Sequence, residues 1–410
     1  MDPDGEVQHD FFPFIRQYKS GRVVRLGAAD TVPAGVDTAR TGVLSKDVVI
    51  NQSSGLWVRL YLPAALSAAG RHGKLPVVVY YHGGAFVVGS TAHRPTHEYL
   101  NSLAADAGVL VVSPEYRLAP EHPLPAAHDD SWEALQWVAS HAAAGPEPEP
   151  WLAEHGDLSR VFLAGVSAGG NIAHHMAERG LGVPIRGLLV IHGYFNREAA
   201  TPAGVMKQGM SEALWRFVCP GTPGLDDPLC NPFSEAAGGS AARVAAERVL
   251  VCVAEKDTLR DRGVWYYESL RASGYRGEVE LHESMGERHV FHYAKPESEQ
   301  AKLLHARVLR FLRHEHRRPQ LHRVLGARRS TALPCSSPRV ACSASSSLAL
   351  HRPYSAAHRL HDWLLALRPW LYRAPPGRSR SPAPSLQTDH TPAPTSPRAP
   401  AGPPQALFRC

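Results

Sequence analysis

At 410 residues and a formal net charge of +6, the chain can bury one large core or two ordinary ones. Residues 317–410 carry 14 arginines, no lysine and two acids, whereas residues 1–316 hold 30 Lys+Arg against 36 Asp+Glu, so the basicity belongs to the tail and the body is mildly acidic. That division removes the case for a nucleic-acid partner. No apolar run reaches the roughly 20 residues that cross a bilayer, and the acidic start lacks an apolar leader core, so a soluble cytoplasmic protein is expected. Of its six cysteines, Cys219, Cys230 and Cys252 lie in the body without metal-ligand spacing and are expected to stay reduced.

In chain order, residues 45–50 and 56–62 alternate apolar and polar side chains, the pattern of an antiparallel edge exposed on one face. After Pro76 the pattern becomes short continuous apolar runs at 77–81, 109–113, 161–164, 188–191, 249–254 and 279–281, separated by helical stretches. Such runs are buried parallel strands with crossover helices, which makes an α/β, mostly parallel, doubly wound sheet. One helix is expected over 131–141 with Ser131 as N-cap and Trp132, Leu135 and Val138 on one face. Residues 1–25 and 201–240 fall outside the alternation and are expected to form helical lid segments on a domain spanning 1–316. The tail, 317–410, holds 15 of the 35 prolines and too few periodic apolar residues to offset the entropy of ordering.

Gly165-Val166-Ser167-Ala168-Gly169 lies between a predicted strand and a predicted helix, the setting of a nucleophile elbow. A serine held in so sharp a turn brings its neighbours two residues away into close approach, so glycine is needed there, and the Ala168 N–H faces a developing oxyanion. His82-Gly83-Gly84-Ala85-Phe86 follows the 77–81 run, and Gly83 and Gly84 are the other oxyanion-hole candidates. A nucleophilic serine also needs an acid and a base in the order Ser, Asp or Glu, His. Asp257 follows the 249–254 run with Glu255 and Asp261 as competitors, and His289 follows the last run with His292 as its rival.

These segments, with Tyr116-Arg117-Leu118-Ala119-Pro120-Glu121-His122-Pro123 and Asp257 through Arg262, resemble plant carboxylesterases of the hormone-sensitive-lipase-like class of α/β hydrolases, the group that includes gibberellin receptors. The resemblance runs from about Phe11 to His314. It implies a triad of Ser167, Asp257 and His289, oxyanion donors at Gly83, Gly84 and Ala168, and a supporting rather than catalytic role for the segment after Tyr116. It departs at Val166, where many relatives have Asp, and at Arg288, where relatives commonly have Gly, which sets a bulky cation beside the base.

The expected activity is hydrolysis of small to medium carboxylic esters through an acyl-enzyme, without metal or organic cofactor, by a monomer or homodimer. Met210, Trp215 and Phe217 are the pocket candidates. Two readings on the same scaffold compete. A gibberellin-type receptor implies a replaced histidine, and a dehydratase implies Thr at the nucleophile position; His289 and Ser167 oppose them.

Overall fold

The computed structural model describes residues 5–26, 30–64, 73–142, 148–198 and 205–313, the side chains of 205–210 excepted. All of them lie in the first of two units, Met1–Tyr372 and Arg373–Cys410. The expectation for 317–410 therefore lies outside the described residues.

Three short strands open the fold, β1 (Val7–Phe11), β2 (Ile15–Tyr18) and β3 (Val23–Arg25), and pair antiparallel as a small sheet. The main sheet contains β4 (Val43–Asn51), β5 (Leu56–Pro63), β6 (Leu75–Tyr81), β7 (Leu110–Glu115), β8 (Gly156–Val166), β9 (Ile185–Ile191), β10 (Arg248–Ala254) and β11 (Glu278–Ser284). Their spatial order is β11-β10-β9-β8-β6-β7-β5-β4. The strands from β6 to β11 run parallel, and β5 pairs antiparallel with both β4 and β7. The chain leaves β6 for β7 on one side and returns to β8 on the other. Carboxyl ends beside such a reversal form the crevice in which open α/β sheets bind ligands.

Successive residues of a strand face opposite sides, so a strand buried on both must be apolar throughout. In β6, Val77, Val79 and Tyr81 enter one core while Val78 and Tyr80 enter the other. The first core is closed by α2 (Ala126–Ser140), α4 (Ala168–Arg179) and α6 (Arg260–Ala272), and the second by α1 (Arg94–Ala107) and α8 (Glu299–Leu312). The shorter helices α3 (Pro150–His155) and α7 (Phe291–Ala294) sit in connections, and α5 (Val205–Val218) belongs to the second segment outside the alternation.

Two expectations are corrected. Helix α2 begins at Ala126 rather than after Ser131, which is fully buried in mid-helix. The reason is an ion pair: Asp130 is buried in the first turns and accepts from both the backbone and the guanidinium of Arg117, closest at 2.7 Å, which holds the helix start beyond the reach of a serine cap. Residues 7–25 are strands, not a helix. Pro13 interrupts any helical run there, and Ile15 is fully buried in the first core.

Candidate active site

Sheet register gathers the predicted residues. Tyr81 pairs with Gly165, Val166 with Ile191, Ile191 with Cys252, and Ala254 with Ser284, so the carboxyl ends of β6, β8, β9, β10 and β11 are level. The residues just beyond them are His82-Gly83-Gly84, Ser167, His192, Asp257 and, after a longer loop, His289. Ser167 has φ 55 and ψ −118, a strained conformation for a non-glycine residue. A Cβ on Gly169 would stand 2.0 Å from the Tyr81 carbonyl, and one on Gly165 would stand 2.0 Å from the Gly169 carbonyl, so the turn closes only with glycine at both places. Its backbone is tied by the Ser167 N–H to the Ile191 carbonyl (2.9 Å) and by the Tyr194 N–H to the Ser167 carbonyl (2.9 Å).

Ser167 Oγ lies 3.1 Å from His289 Nε2, and His289 Nδ1 lies 2.7 Å from Asp257 Oδ2. Asp257 Oδ1 accepts from the Leu259 N–H at 2.8 Å. Burial alone would push the Asp257 pKa up; the His289 imidazole, His192 and the Leu259 amide outweigh it and hold this carboxyl below its ordinary value. The competitors stand elsewhere. Glu255 accepts from the Gly286 N–H, Asp261 pairs with Arg260, and the buried His292 ring packs on Tyr99 and Tyr293.

Gly83 lies against the nucleophile, since a Cβ there would come 3.3 Å from Ser167 Cβ. Among the described residues, no acceptor takes the amide hydrogens of Gly83, Gly84 or Ala168. The loop bearing the two glycines is braced from beneath. His82 is buried and its pKa is pushed down to about 3 by burial, so the neutral ring donates through Nδ1 to the Gly83 carbonyl at 2.8 Å. Tyr116 stacks on that ring at 4.1 Å and donates its hydroxyl to the His82 carbonyl. The Ala119 N–H reaches the Phe86 carbonyl, which gives the segment after Tyr116 the supporting place expected of it.

The pocket candidates divide. Trp215 has no exposed surface; its Nε1–H donates to Thr222 and its ring meets Phe86 edge-on, so it backs the site rather than lining it, contrary to expectation. Its size and its satisfied N–H suit the core better than a wet wall. Phe217 is half-buried, 4.9 Å from the Phe11 ring. Met210 lies on α5, its side chain outside the described residues. Among the described residues, two clusters bring potential metal-ligand atoms within 4.8 Å of one another: His174, His175 and Glu178 on α4, and His192, Asp257 and His289. In the second, both His289 nitrogens are engaged by Asp257 and Ser167. His82 is legible only as the first residue of the glycine motif, not as the brace of its loop, and His192 is not legible at all, because a histidine after an apolar run has no distinguishing spacing.

A family model described as alpha/beta hydrolase fold matches residues 78–293. The chain belongs to that family. It is 44% identical over 318 residues to tuliposide A-converting enzyme 1 of Tulipa gesneriana, covering 76% of this chain and 80% of the relative. It is 41% identical to 2-hydroxyisoflavanone dehydratase of Glycyrrhiza echinata (75% and 96%) and 39% identical to probable carboxylesterase 2 of Arabidopsis thaliana (72% and 93%). Among solved structures, the esterase LipW from Mycobacterium marinum superposes with a TM-score of 0.53 at 30% identity, covering 68% of this chain and 83% of its own. A Pyrobaculum calidifontis esterase does so with 0.54 at 27%, covering 68% and 86%. The hydrolase is thus an enzyme of the esterase type. Among its described residues no helix is long and apolar enough to cross a membrane. The tulip relatives are named chloroplastic or amyloplastic, which does not match the cytoplasmic expectation.

Proposed function

We propose that this hydrolase cleaves carboxylic esters through an acyl-enzyme on Ser167. The observation that carries the reading is the unbroken hydrogen-bonded line from Ser167 Oγ through His289 to the buried Asp257. His289 Nε2 takes the hydroxyl proton as Oγ attacks the carbonyl carbon, and Asp257 holds the tautomer with hydrogen on Nδ1. The carbonyl oxygen becomes an oxyanion received by the Gly83, Gly84 and Ala168 N–H groups, whose hydrogens have no other acceptor among the described residues. His289 then returns the proton to the departing alkoxide and the alcohol leaves. Water repeats the sequence on the acyl-serine, releasing the acid and restoring Ser167.

The substrates are small to medium acyl esters, and the tulip relatives add tuliposide A to the esters worth assaying. The test is turnover of a p-nitrophenyl acyl series by wild type and Ser167→Ala, with a fluorophosphonate mass shift mapped to the modified residue. Loss of the nucleophile lowers kcat by on the order of 10⁴-fold or more. Wild-type turnover by Ser167→Ala, or labelling at another serine, rejects the mechanism.

A further inference from the structure

We propose that His192 is a positioning residue: by accepting the Val290 amide hydrogen on its Nδ1 it fixes the adjacent His289 within reach of Ser167, an inference that rests on the ester-hydrolysis reading above. His192 follows β9 directly and is 1% exposed. The Val290 N–H lies 3.2 Å from its Nδ1, and Val290 is the residue immediately after His289. Both joined residues occupy the left-handed region, His192 at φ 50 and Val290 at φ 48. Neither is glycine, so each conformation persists only if its surroundings impose it. For His192 the anchor is its own N–H, which donates to the Cys252 carbonyl of β10 at 2.8 Å. For Val290 the His192 ring is such an anchor.

The same turn also holds the nucleophile. Ile191 accepts from the Ser167 N–H and Tyr194 donates to the Ser167 carbonyl, so the four residues from Ile191 to Tyr194 grip the backbone of Ser167 and the backbone next to His289. The separation of base and nucleophile is therefore set across one short segment rather than by the long β11–α7 connection alone. An amide N–H can only donate, so Nδ1 must be bare and the proton must sit on Nε2. Burial, which pushes the His192 pKa down to about 4, keeps the ring in that accepting state at neutral pH. Ligand atoms of His192, Asp257 and His289 lie within 4.8 Å of one another, close enough for a shift of one ring to be felt by the next.

The test compares His192→Leu, which fills similar space without an acceptor, with His192→Asn, whose Oδ1 can occupy the place of Nδ1. Misplacing a reacting group by about 1 Å costs on the order of 10²-fold, so His192→Leu should lose roughly 10- to 100-fold in kcat with little change in KM. His192→Asn should recover most of that loss, and fluorophosphonate labelling of Ser167 should slow and recover in parallel, with thermal melts recorded for each protein. Wild-type kcat in His192→Leu, or equal impairment of the Leu and Asn variants, overturns the proposal. Should His192→Leu not fold, His192→Gln replaces it, because its amide reaches past the Nδ1 position; equal activity of the Asn and Gln variants is then the overturning result. Ser167→Ala in the same panel separates the two readings: its wild-type turnover removes the mechanism itself, whereas its expected loss beside an unaffected His192→Leu removes only the positioning role.

Discussion

Replacing Asp257 by Asn probes the charge and the tautomer together. Asp257 Oδ1 is already committed to the Leu259 N–H at 2.8 Å, and Oδ2 faces His289 Nδ1 at 2.7 Å. In Asp257→Asn the Leu259 amide retains the carbonyl oxygen, which leaves the side-chain NH₂ pointing at Nδ1. Two donors cannot face each other, so the imidazole shifts its proton to Nε2, where it can no longer accept from Ser167. A base in the wrong tautomer costs about 10⁴-fold in kcat, or about 5.4 kcal/mol of barrier. The assay is steady-state hydrolysis of p-nitrophenyl butyrate at neutral pH, with circular dichroism melts to establish that the variant is folded. A folded Asp257→Asn enzyme within about tenfold of wild type would refute the tautomer argument.

Acid should unfold the protein steeply. Burial holds the imidazoles of His82, His128 and His174 down to about 3 and those of His97 and His192 to about 4, and it holds His292 well below its ordinary value. A base depressed in this way is uncharged when folded and protonates on unfolding, so its contribution is whole above pH 6.5 and is lost as pH falls toward the folded value. Glu115 opposes with one proton, because burial pushes it up to about 7. The net of about five protons is a slope of roughly 7 kcal/mol per pH unit at its steepest, and a melting temperature that stays flat from pH 6.5 to 4.5 would contradict it. Gly169→Ala should fail to yield soluble enzyme, since its Cβ would sit 2.0 Å from the Tyr81 carbonyl and 2.5 Å from that of His82. That exceeds the ~1–3 kcal/mol of ordinary overpacking, and a soluble variant with native melting would show that the elbow can relax.

The parallel strands were legible because burial on both faces leaves a run with no polar alternation, as in β10, where Arg248 is the only charged member of a wholly buried strand. The elbow was legible because Gly165 and Gly169 are demanded by backbone approach, a constraint that leaves a mark in sequence. The start of α2 was not, because Asp130 reads as surface charge until its partner Arg117, thirteen residues earlier, is seen beside it. His192 was hidden for a related reason. Its hydrogen bond to Val290 spans 98 residues and depends on strand register, which no local pattern encodes. Trp215 is ambiguous in sequence, because an aromatic residue on an amphipathic helix reads the same whether it faces a pocket or a core.

The two segments outside the sheet's alternation make a separable contribution. Ile15 ties the small sheet into the core, Arg25 binds the Val87 carbonyl and pairs with Glu121, and Phe11 then meets Phe217 of α5, so the two segments touch each other through apolar side chains. The groups assigned to the chemistry all stand on loops at the ends of β6, β8, β10 and β11. We propose that these segments border the acyl group, so that truncating a side chain there changes which acyl chains are preferred while leaving proton transfer alone. Phe217→Ala removes the ring packed against both His9 and Phe11, and apolar contact worth about 0.8 kcal/mol per methylene is lost progressively as the acyl chain lengthens. The ratio of kcat/KM for octanoate over acetate p-nitrophenyl esters should fall by about tenfold, with kcat on acetate little altered. An equal loss on both esters would place Phe217 in the fold's general stability and leave the contact between the two segments without a part in selectivity.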